Sequence, residues 1–187
     1  MRFNDIGWIL GPSPLFLPGV GISLLVSRLA SSRVGRALGV RPGLAFALLL
    51  SIGLIVSATL TPSPEEFQYA VGGTGAPEIH ATCDLSRIGL PPLESFGSMN
   101  DDSLNVLLFL PLGTALALLP GSRRKAGLVV GALAAPFAIE TVQLILPHLG
   151  RACQASDVAD NLTGLAAGLI FGTVVRLVAR TTAASST

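Results

Sequence analysis

The chain has 187 residues, half of which are hydrophobic, while only 12% are charged. A soluble domain carries about twice this fraction of charged residues, so the composition excludes an ordinary soluble protein. The formal net charge is +1, and the sequence has no basic face that could bind phosphates, which excludes a nucleic-acid partner. The composition therefore predicts an all-α, multi-pass helical bundle in the cell membrane.

Five apolar stretches are long enough to cross a bilayer, which requires about 20 helical residues. In chain order they are Ile6–Arg28, Pro42–Thr61, Ser103–Pro120, Ala126–Pro147 and Val158–Ala179. The first contains Pro12, Pro14 and Pro18, which interrupt a helix, so it is predicted to be a kinked span or a re-entrant segment. A cleaved signal peptide is disfavoured, because the stretch is too long and its basic residues follow it. Without a repeat or linker between the stretches, residues 1–187 are predicted to form one membrane domain.

The basic residues are concentrated on one side of the predicted spans. Nine of the twelve Lys and Arg residues fall there, with no Asp or Glu among them: Arg28, Arg33, Arg36, Arg41, Arg123, Arg124, Lys125, Arg176 and Arg180. The positive-inside rule places this side in the cytoplasm. Five spans then put the N-terminus outside and the C-terminus inside, and residues 62–102 become an external loop.

The two cysteines, Cys83 and Cys153, both lie on the predicted external side, where disulfide bonds persist. A disulfide would tie the external loop to the turn between the fourth and fifth spans, and two free thiols are the alternative. His80 and His148 are also external, but the spacing of these four residues matches no zinc motif. We therefore expect no metal site and no cofactor.

Six polar residues are predicted to gather near the outer ends of spans three, four and five. We call them the polar cluster: Asn105, Glu140, Gln143, Arg151, Asp157 and Asn161. Glu140 and Gln143 share one face of span four, and Glu140 lies about 10 Å below the outer edge at the helical rise. A carboxyl group at that depth is costly unless it is paired, hydrated or protonated, and Arg151 is the external cation best placed to pair with it. Ionisable groups inside a membrane indicate a functional site.

Structural roles are the alternative for several of these residues. Asp157 can cap span five, and Asn105 and Gln143 can form interhelical hydrogen bonds. Asp101, at the start of span three, is interpreted as a helix cap. The combination of Glu140 with Arg151 is hardest to explain by structure alone, so we predict that the polar cluster lines an outward-facing pocket.

Stripes with a four-residue spacing occur on two of the spans. Span five carries Gly164, Gly168 and Gly172, and span three carries the stripe Asn105, Phe109 and Gly113. Glycine faces allow membrane helices to approach closely, so these four glycines are predicted to be packing residues. We expect both helices to dock against span four, around the polar cluster.

Several of these residues recur in two segments, NVLLFLPLG (Asn105 to Gly113) and IETVQ…R…DVADNLTG. The first resembles the Asn-x-x-x-Phe-x-Pro-x-Gly stretch of the VanZ-like membrane proteins. The second is similar to that family's signature of Glu and Gln on one helix, followed by Arg, Asp, Asn and Gly. The matching positions of the second segment are Glu140, Gln143, Arg151, Asp157, Asn161 and Gly164. Both segments fall within residues 101–172, a little over a third of the chain.

The resemblance has one departure. Many family members carry another acid soon after the Arg, where this chain has Gln154 and Ser156. Asp160 stands nearby and is the candidate substitute.

The resemblance implies a role in the bacterial cell envelope. The family is named after a protein linked to teicoplanin resistance, and no settled activity defines its members. It implies a protein that binds a membrane lipid, a lipid-linked envelope component or the lipoglycopeptide itself. The alternative is an intramembrane enzyme acting on a lipid-linked cell-wall substrate, with Glu140 or Asp157 as general acid or base. The residues favour the non-enzymatic role, because no nucleophile with an adjacent base and no Gly-rich phosphate loop is visible. A transporter is disfavoured by five spans without an inverted repeat.

Overall fold

The computed structural model describes residues 15–64, 66–67, 72, 82–91 and 101–185. They form five α-helices, and a short 3-10 turn, Pro147–Leu149, precedes the last of them. The helices are α1 (Phe16–Leu38), α2 (Pro42–Thr59), α3 (Asp101–Leu118), α4 (Arg123–Ile145) and α5 (Ala155–Ser185). The predicted all-α class is confirmed. The start of the first predicted span, residues 6–14, and most of the predicted external loop lie outside the described residues.

Three of the helices in the described part are long and apolar enough to cross a membrane: α2, α4 and residues Ala155–Thr182 of α5. Residues Asp102–Leu118 of α3 form a shorter apolar helix. The length and the apolar composition of these helices are those of a membrane protein. The count of five spans, the orientation of the termini and the single domain over 1–187 stay predictions.

The first helix differs from the first predicted span. It continues past Arg28 to Leu38, so that Arg33 and Arg36, which were predicted to lie in a loop, are helical. The helix ends where Gly39 takes a left-handed conformation with φ of 69°, and the Gly39 N–H donates to the Arg36 carbonyl. Glycine adopts this conformation without steric cost, whereas no residue between Arg28 and Leu38 breaks the helix.

Local sequence explains where the next helices begin. Pro42 occupies the first turn of α2, where its missing N–H is no loss. Ser122 caps α4, because its hydroxyl accepts a hydrogen bond of 3.1 Å from the Lys125 N–H. The last helix starts at Ala155, earlier than predicted, so Asp157 lies inside its first turn rather than at the N-cap. An acid there still suits the positive end of the helix dipole.

Helices α3 and α5 form the most extensive contact of the bundle. All four predicted packing glycines lie at this contact: Gly113, Gly164, Gly168 and Gly172. A Cβ atom on Gly164 would overlap the Val106 carbonyl oxygen, and one on Gly168 would overlap that of Leu110. Both helices also contact α4, as predicted, but the expectation that their glycine stripes face it is wrong. The glycines bring the backbones of α3 and α5 directly together, which leaves no room for a third helix between them.

Helices α1 and α2 pack through pairs of glycine and serine. A Cβ atom on Gly19 would lie 2.7 Å from the Ser57 hydroxyl, and one on Gly53 would lie 2.5 Å from that of Ser23. The two hydroxyl groups are 3.4 Å apart. Each glycine thus makes room for a serine of the facing helix, and the two serines are close enough to form a hydrogen bond.

The ends of the helices divide the bundle into a basic end and a polar end. At the basic end, Lys125 and Arg176 both donate to the Leu119 carbonyl, at 3.2 Å each, just beyond α3. Cations there satisfy carbonyl groups that have no partner in the helix and suit the negative end of its dipole. Arg124 donates to the Ala37 carbonyl near the end of α1. The polar end lies opposite, where α3 and α5 begin and α2 and α4 end.

Candidate functional site

The polar cluster lies at the polar end of the bundle. Asn105 is on α3, and Glu140 and Gln143 are near the end of α4. Arg151 follows the 3-10 turn, and Asp157 and Asn161 are in the first turns of α5. Three of the six side chains are almost fully buried, namely those of Glu140, Gln143 and Asn161. The helices therefore place both polar and ionisable groups in the interior of this end.

Glu140 joins the end of α4 to the start of α5. The residue is 6% exposed, and its Oε2 atom accepts a hydrogen bond of 2.7 Å from the backbone N–H of Gln154. The carbonyl of Gln154 accepts in turn from the N–H of Asp157, at 3.2 Å. The hydrogen bond from a backbone N–H offsets part of the free-energy cost of removing the Glu140 carboxylate from water.

Gln143 and Arg151 both bind the chain where α2 ends. The Gln143 Nε2 atom donates to the Thr59 carbonyl at 3.0 Å, and the Arg151 Nε atom donates to the Thr61 carbonyl at 3.3 Å. These bonds hold α4 and the following turn against the end of α2. They do not test the predicted pairing of Arg151 with Glu140, which stays a prediction.

Two acceptor oxygens of the polar cluster are buried without a hydrogen-bond partner among the residues that the structure describes. They are Oε1 of Gln143 and Oδ1 of Asn161, whose residues are 5% and 1% exposed. Buried polar groups in proteins almost always have a partner, and an acceptor without one carries the full cost of losing water. Both oxygens are therefore suited to accept a hydrogen bond from a group outside the described chain.

Residues 82–91, which we call the strap, are attached to the start of α5. A disulfide joins Cys83 to Cys153, with 4.6 Å between their Cα atoms. Next to it, the Asp84 N–H donates to the Cys153 carbonyl at 2.8 Å, and the Asp84 carbonyl accepts from Ala155 at 2.9 Å. The Ser86 N–H, 2.8 Å from the Asp84 carboxylate, lowers the pKa of that acid. A covalent bond and two backbone hydrogen bonds thus hold one end of the strap.

Arg87 holds the rest of the strap through two acids. Its Nη1 and Nη2 atoms lie 3.1 and 2.5 Å from the two carboxylate oxygens of Asp160, and Nη2 is also 2.9 Å from Asp102. Asp160 is fully buried, and the guanidinium fork matches its carboxylate in the bidentate manner. The hydrogen bonds to Asp160, assisted by the charge of Asp102, raise the pKa of Arg87. The strap therefore links α3 to α5.

Arg87 and its role were missed in the sequence. The signal was the position of Asp160, one turn before Gly164 on the glycine face that packs against α3. A carboxylate on such a face requires a cation, and Arg87 is one of three cations on the predicted external side, with Arg2 and Arg151. Asp160, the candidate substitute for the family's additional acid, is bound by the strap. Its role as that substitute stays a prediction.

Glu66, which lies in the predicted external loop, was also missed. It is 7% exposed, and its N–H lies 3.3 Å from the Ser63 hydroxyl. Gly150, with φ of 59°, passes so close that a Cβ atom would overlap both Ser63 and Glu66. The turn after α4 thus packs tightly on the segment after α2.

One cavity lined by described residues is apolar and lies between the polar cluster and the basic end. It is a lateral groove of about 370 Å³ between α2, α3 and α4. Thr59 is the polar residue in its described lining, and none of the six residues of the polar cluster lines it. The predicted outward-facing polar pocket stays a prediction.

Comparison with known proteins identifies the family. The profile of the VanZ/LLP1 family matches residues 46–176. This range includes the whole polar cluster, the strap and the packing glycines, and it covers more than half of the chain. No curated protein and no solved structure matches the sequence. Both the profile match and the two motif segments lead to the same conclusion, that this chain belongs to the VanZ/LLP1 family.

Proposed function

We propose that this VanZ/LLP1 protein acts in the cell envelope by binding the polar part of a membrane-anchored envelope component at the polar cluster. Binding of this kind would reduce susceptibility to lipoglycopeptides such as teicoplanin. The observation that carries the proposal is the pair of buried acceptors, Gln143 Oε1 and Asn161 Oδ1, without a described partner. Each costs about 1–3 kcal/mol if it stays unpaired, so a donor from a ligand would stabilise both.

The chemistry of these residues indicates what kind of ligand would fit. Glu140 offers carboxylate oxygens, while Gln143 and Asn161 offer amide oxygens, so the site is rich in acceptors. A complementary ligand presents hydrogen-bond donors, such as the amides, hydroxyls or amino groups of a cell-wall precursor or glycopeptide. Because these residues lie on helices that fit a bilayer, the ligand must reach them from the membrane surface. A lipid anchor or an acyl tail gives it that access.

Teicoplanin susceptibility of a sensitive bacterial host tests the proposal. The host expresses the parent chain, its Glu140→Gln variant or its Asp101→Asn variant, at matched membrane levels. Glu140→Gln preserves the shape of the side chain but removes its charge. We expect protection by the parent and by Asp101→Asn, which removes an acid at the first residue of α3, and loss of protection in Glu140→Gln.

Other outcomes would reject parts of the proposal. Equal protection by the parent and Glu140→Gln would make Glu140 structural and remove the polar cluster as the site. Equal losses in both variants would also contradict a specific site. Absence of protection by the parent would show that the link to teicoplanin does not extend to this chain.

An intramembrane enzyme is the second candidate, and one contact favours it. The buried carboxylate of Glu140 accepts from the N–H of Gln154, and the backbone N–H of Asp157 donates to the carbonyl of the same residue, which brings the two acidic residues close together in the fold. Two neighbouring acids can serve as general acid and base. An enzyme would change the lipid-linked precursors of the host. Mass spectrometry of lipid extracts would then show a new species with the parent chain and not with Glu140→Gln, whereas a binding protein would leave the extracts unchanged.

A further inference from the structure

The lateral groove between α2 and α4 is apolar except at Thr59, near one end of its described lining. Leu48 and Ile55 form the α2 wall, Leu116 belongs to the floor on α3, and the α4 wall includes Gly131 and Ala135. α2 and α4 are among the helices that are long and apolar enough to cross a membrane. In a bilayer, such a groove faces hydrocarbon rather than water, and its natural occupant is a hydrocarbon chain.

The α4 wall of the groove is smooth because of two glycines with a role different from the packing glycines. A Cβ atom on Gly127 or on Gly131 would meet nothing within 4 Å. The glycines between α3 and α5, by contrast, each face the backbone or a side chain of another helix. Close helix packing therefore does not account for Gly127 and Gly131. They leave open the space that the groove occupies.

The dimensions of the groove suit a chain rather than a helix. Its lining on α4 extends from Gly127 to Val142, which is about 22 Å at the helical rise. One leaflet of hydrocarbon is about 15 Å thick, so an acyl chain fits along this length. A volume of about 370 Å³ spread over this length corresponds to a narrow channel. A helix with side chains is about 10–12 Å wide, and its cross-section is several times larger than that of the channel. A helix of a second copy would therefore not enter the groove.

The two ends of the groove differ in charge. Arg41 precedes α2 and Arg123 begins α4, one turn before Gly127, and both side chains are exposed. Arg124 connects the same end to α1 through the Ala37 carbonyl. The positive ends of two helix dipoles add to these charges. The opposite end of the groove, near Thr59, lies towards the polar end of the bundle, and no Lys or Arg is among its described lining residues. An amphiphile with an anionic head is therefore complementary to the groove in one direction only.

We propose that the lateral groove binds one acyl chain of an anionic phospholipid, with the phosphate at the basic end beside Arg41 and Arg123. The chain lies against Gly127 and Gly131 and points towards Thr59. This site is separate from the polar cluster and does not depend on the function proposed for it.

Lipid binding to the purified full-length protein tests this site. The protein is delipidated in a neutral detergent and titrated with phosphatidylglycerol or with phosphatidylcholine of identical chains, and native mass spectrometry counts the bound lipid. We expect one phosphatidylglycerol per chain, bound about tenfold more tightly than phosphatidylcholine, because each basic residue near a phosphate contributes favourably. Equal binding of the two lipids would overturn the assignment of the head group.

Gly131→Leu fills the groove, and Gly21→Leu is its matched control. A Cβ atom on Gly21 also meets nothing within 4 Å, and this exposed residue lies on α1, away from the groove. We expect Gly131→Leu to weaken the binding of both lipids by about tenfold or more and Gly21→Leu to bind as the parent does. Circular dichroism checks that both variants are folded. A folded Gly131→Leu protein with unchanged lipid binding would overturn the proposal, as would loss of a dimer in place of loss of lipid.

The double variant Arg41→Gln/Arg123→Gln tests the head group separately from the chain. We expect it to bind phosphatidylglycerol no better than phosphatidylcholine while it keeps the binding of phosphatidylcholine. Arg180→Gln, which removes an exposed charge near the end of α5, is the control and should keep the parent's preference. An undiminished preference in the double variant would contradict the proposed orientation of the lipid.

Discussion

The guanidinium group of Arg87 and the carboxylate of Asp160 form a bidentate ion pair, although the two residues are 73 positions apart in the sequence. Asp160 is fully buried at the contact between α5 and α3, whereas the Arg87 side chain is 28% exposed. The Arg87 charge thus compensates an acid that has lost its water. Together with the Cys83–Cys153 disulfide, the ion pair holds the strap at two separate points.

Replacement of Arg87 by alanine should destabilise the protein. Removal of one partner of a largely buried ion pair leaves the other charge uncompensated, which costs about 3 kcal/mol. For a chain of this length, that cost corresponds to a fall in melting temperature of about 6–12 °C, measured by thermal unfolding in detergent. Arg180→Ala, at an exposed position near the end of α5, is the control.

The double variant Arg87→Ala/Asp160→Asn separates the charge from the packing of the strap. It should be more stable than Arg87→Ala alone, because it no longer contains an unpaired buried acid. A melting temperature of Arg87→Ala equal to that of the parent would contradict the assigned role of the pair.

Loss of the disulfide should also lower stability. The bond closes a loop with a sequence separation of 70, and the chain-entropy model assigns such a loop about 4 kcal/mol. We expect Cys83→Ser/Cys153→Ser to unfold at a lower temperature than the oxidised parent. A reducing agent should lower the melting temperature of the parent and leave that of the variant unchanged. If the reducing agent had no effect on the parent, the disulfide would not contribute to stability.

Gly164 and Gly21 provide a matched test of helix packing. A Cβ atom on Gly164 would overlap the carbonyl oxygen of Val106. This oxygen belongs to the backbone of α3, which cannot rotate away as a flexible side chain can. Gly164→Ala should therefore cost about 2 kcal/mol or more by forcing α3 and α5 apart. Gly21→Ala places its methyl group in open space and should be neutral or slightly stabilising, because alanine favours helix. Equal melting temperatures of the two variants would show that α3 and α5 are not closely packed.

The sequence predicted those features that depend on local pattern. Long apolar stretches predicted the helices of the bundle, and the Gly164 and Gly168 spacing predicted a close helix contact. The partner in that contact was predicted wrongly. Spacing identifies the smooth face of a helix but carries no information about which neighbour it meets. The end of α1 was missed because the positions of arginines mark the membrane boundary, whereas a left-handed residue, here Gly39, ends the helix.

Long-range pairing was harder to predict. The polar cluster could be placed at one end of the bundle, because helix direction alternates and depth follows from the rise per residue. The strap has no periodicity, so the sequence did not indicate that Arg87 meets Asp160 and Asp102. The apolar groove was also missed. It depends on the separation of α2 from α4, which is set by the packing of α2 on α3 and of α4 on α3 and α5, and not by either helix alone.

Replacement of Asn161 by leucine should separate function from stability. Its Oδ1 atom is buried without a described partner, so an apolar side chain of similar size removes the cost of an unsatisfied acceptor. We expect Asn161→Leu to be as stable as the parent or more stable by about 1 kcal/mol, so that its melting temperature is unchanged or higher. We also expect the variant to give no protection against teicoplanin. Thr163→Val, two residues further along α5, is the control. The Thr163 hydroxyl already donates to the Ala159 carbonyl at 2.7 Å, so this residue is not expected to bind the ligand. A marked fall in the melting temperature of Asn161→Leu would indicate that Asn161 is a structural residue. Full protection by a stable Asn161→Leu protein would show that no ligand depends on the Asn161 Oδ1 atom. A ligand that donates a hydrogen bond to this oxygen would lose that bond in the variant.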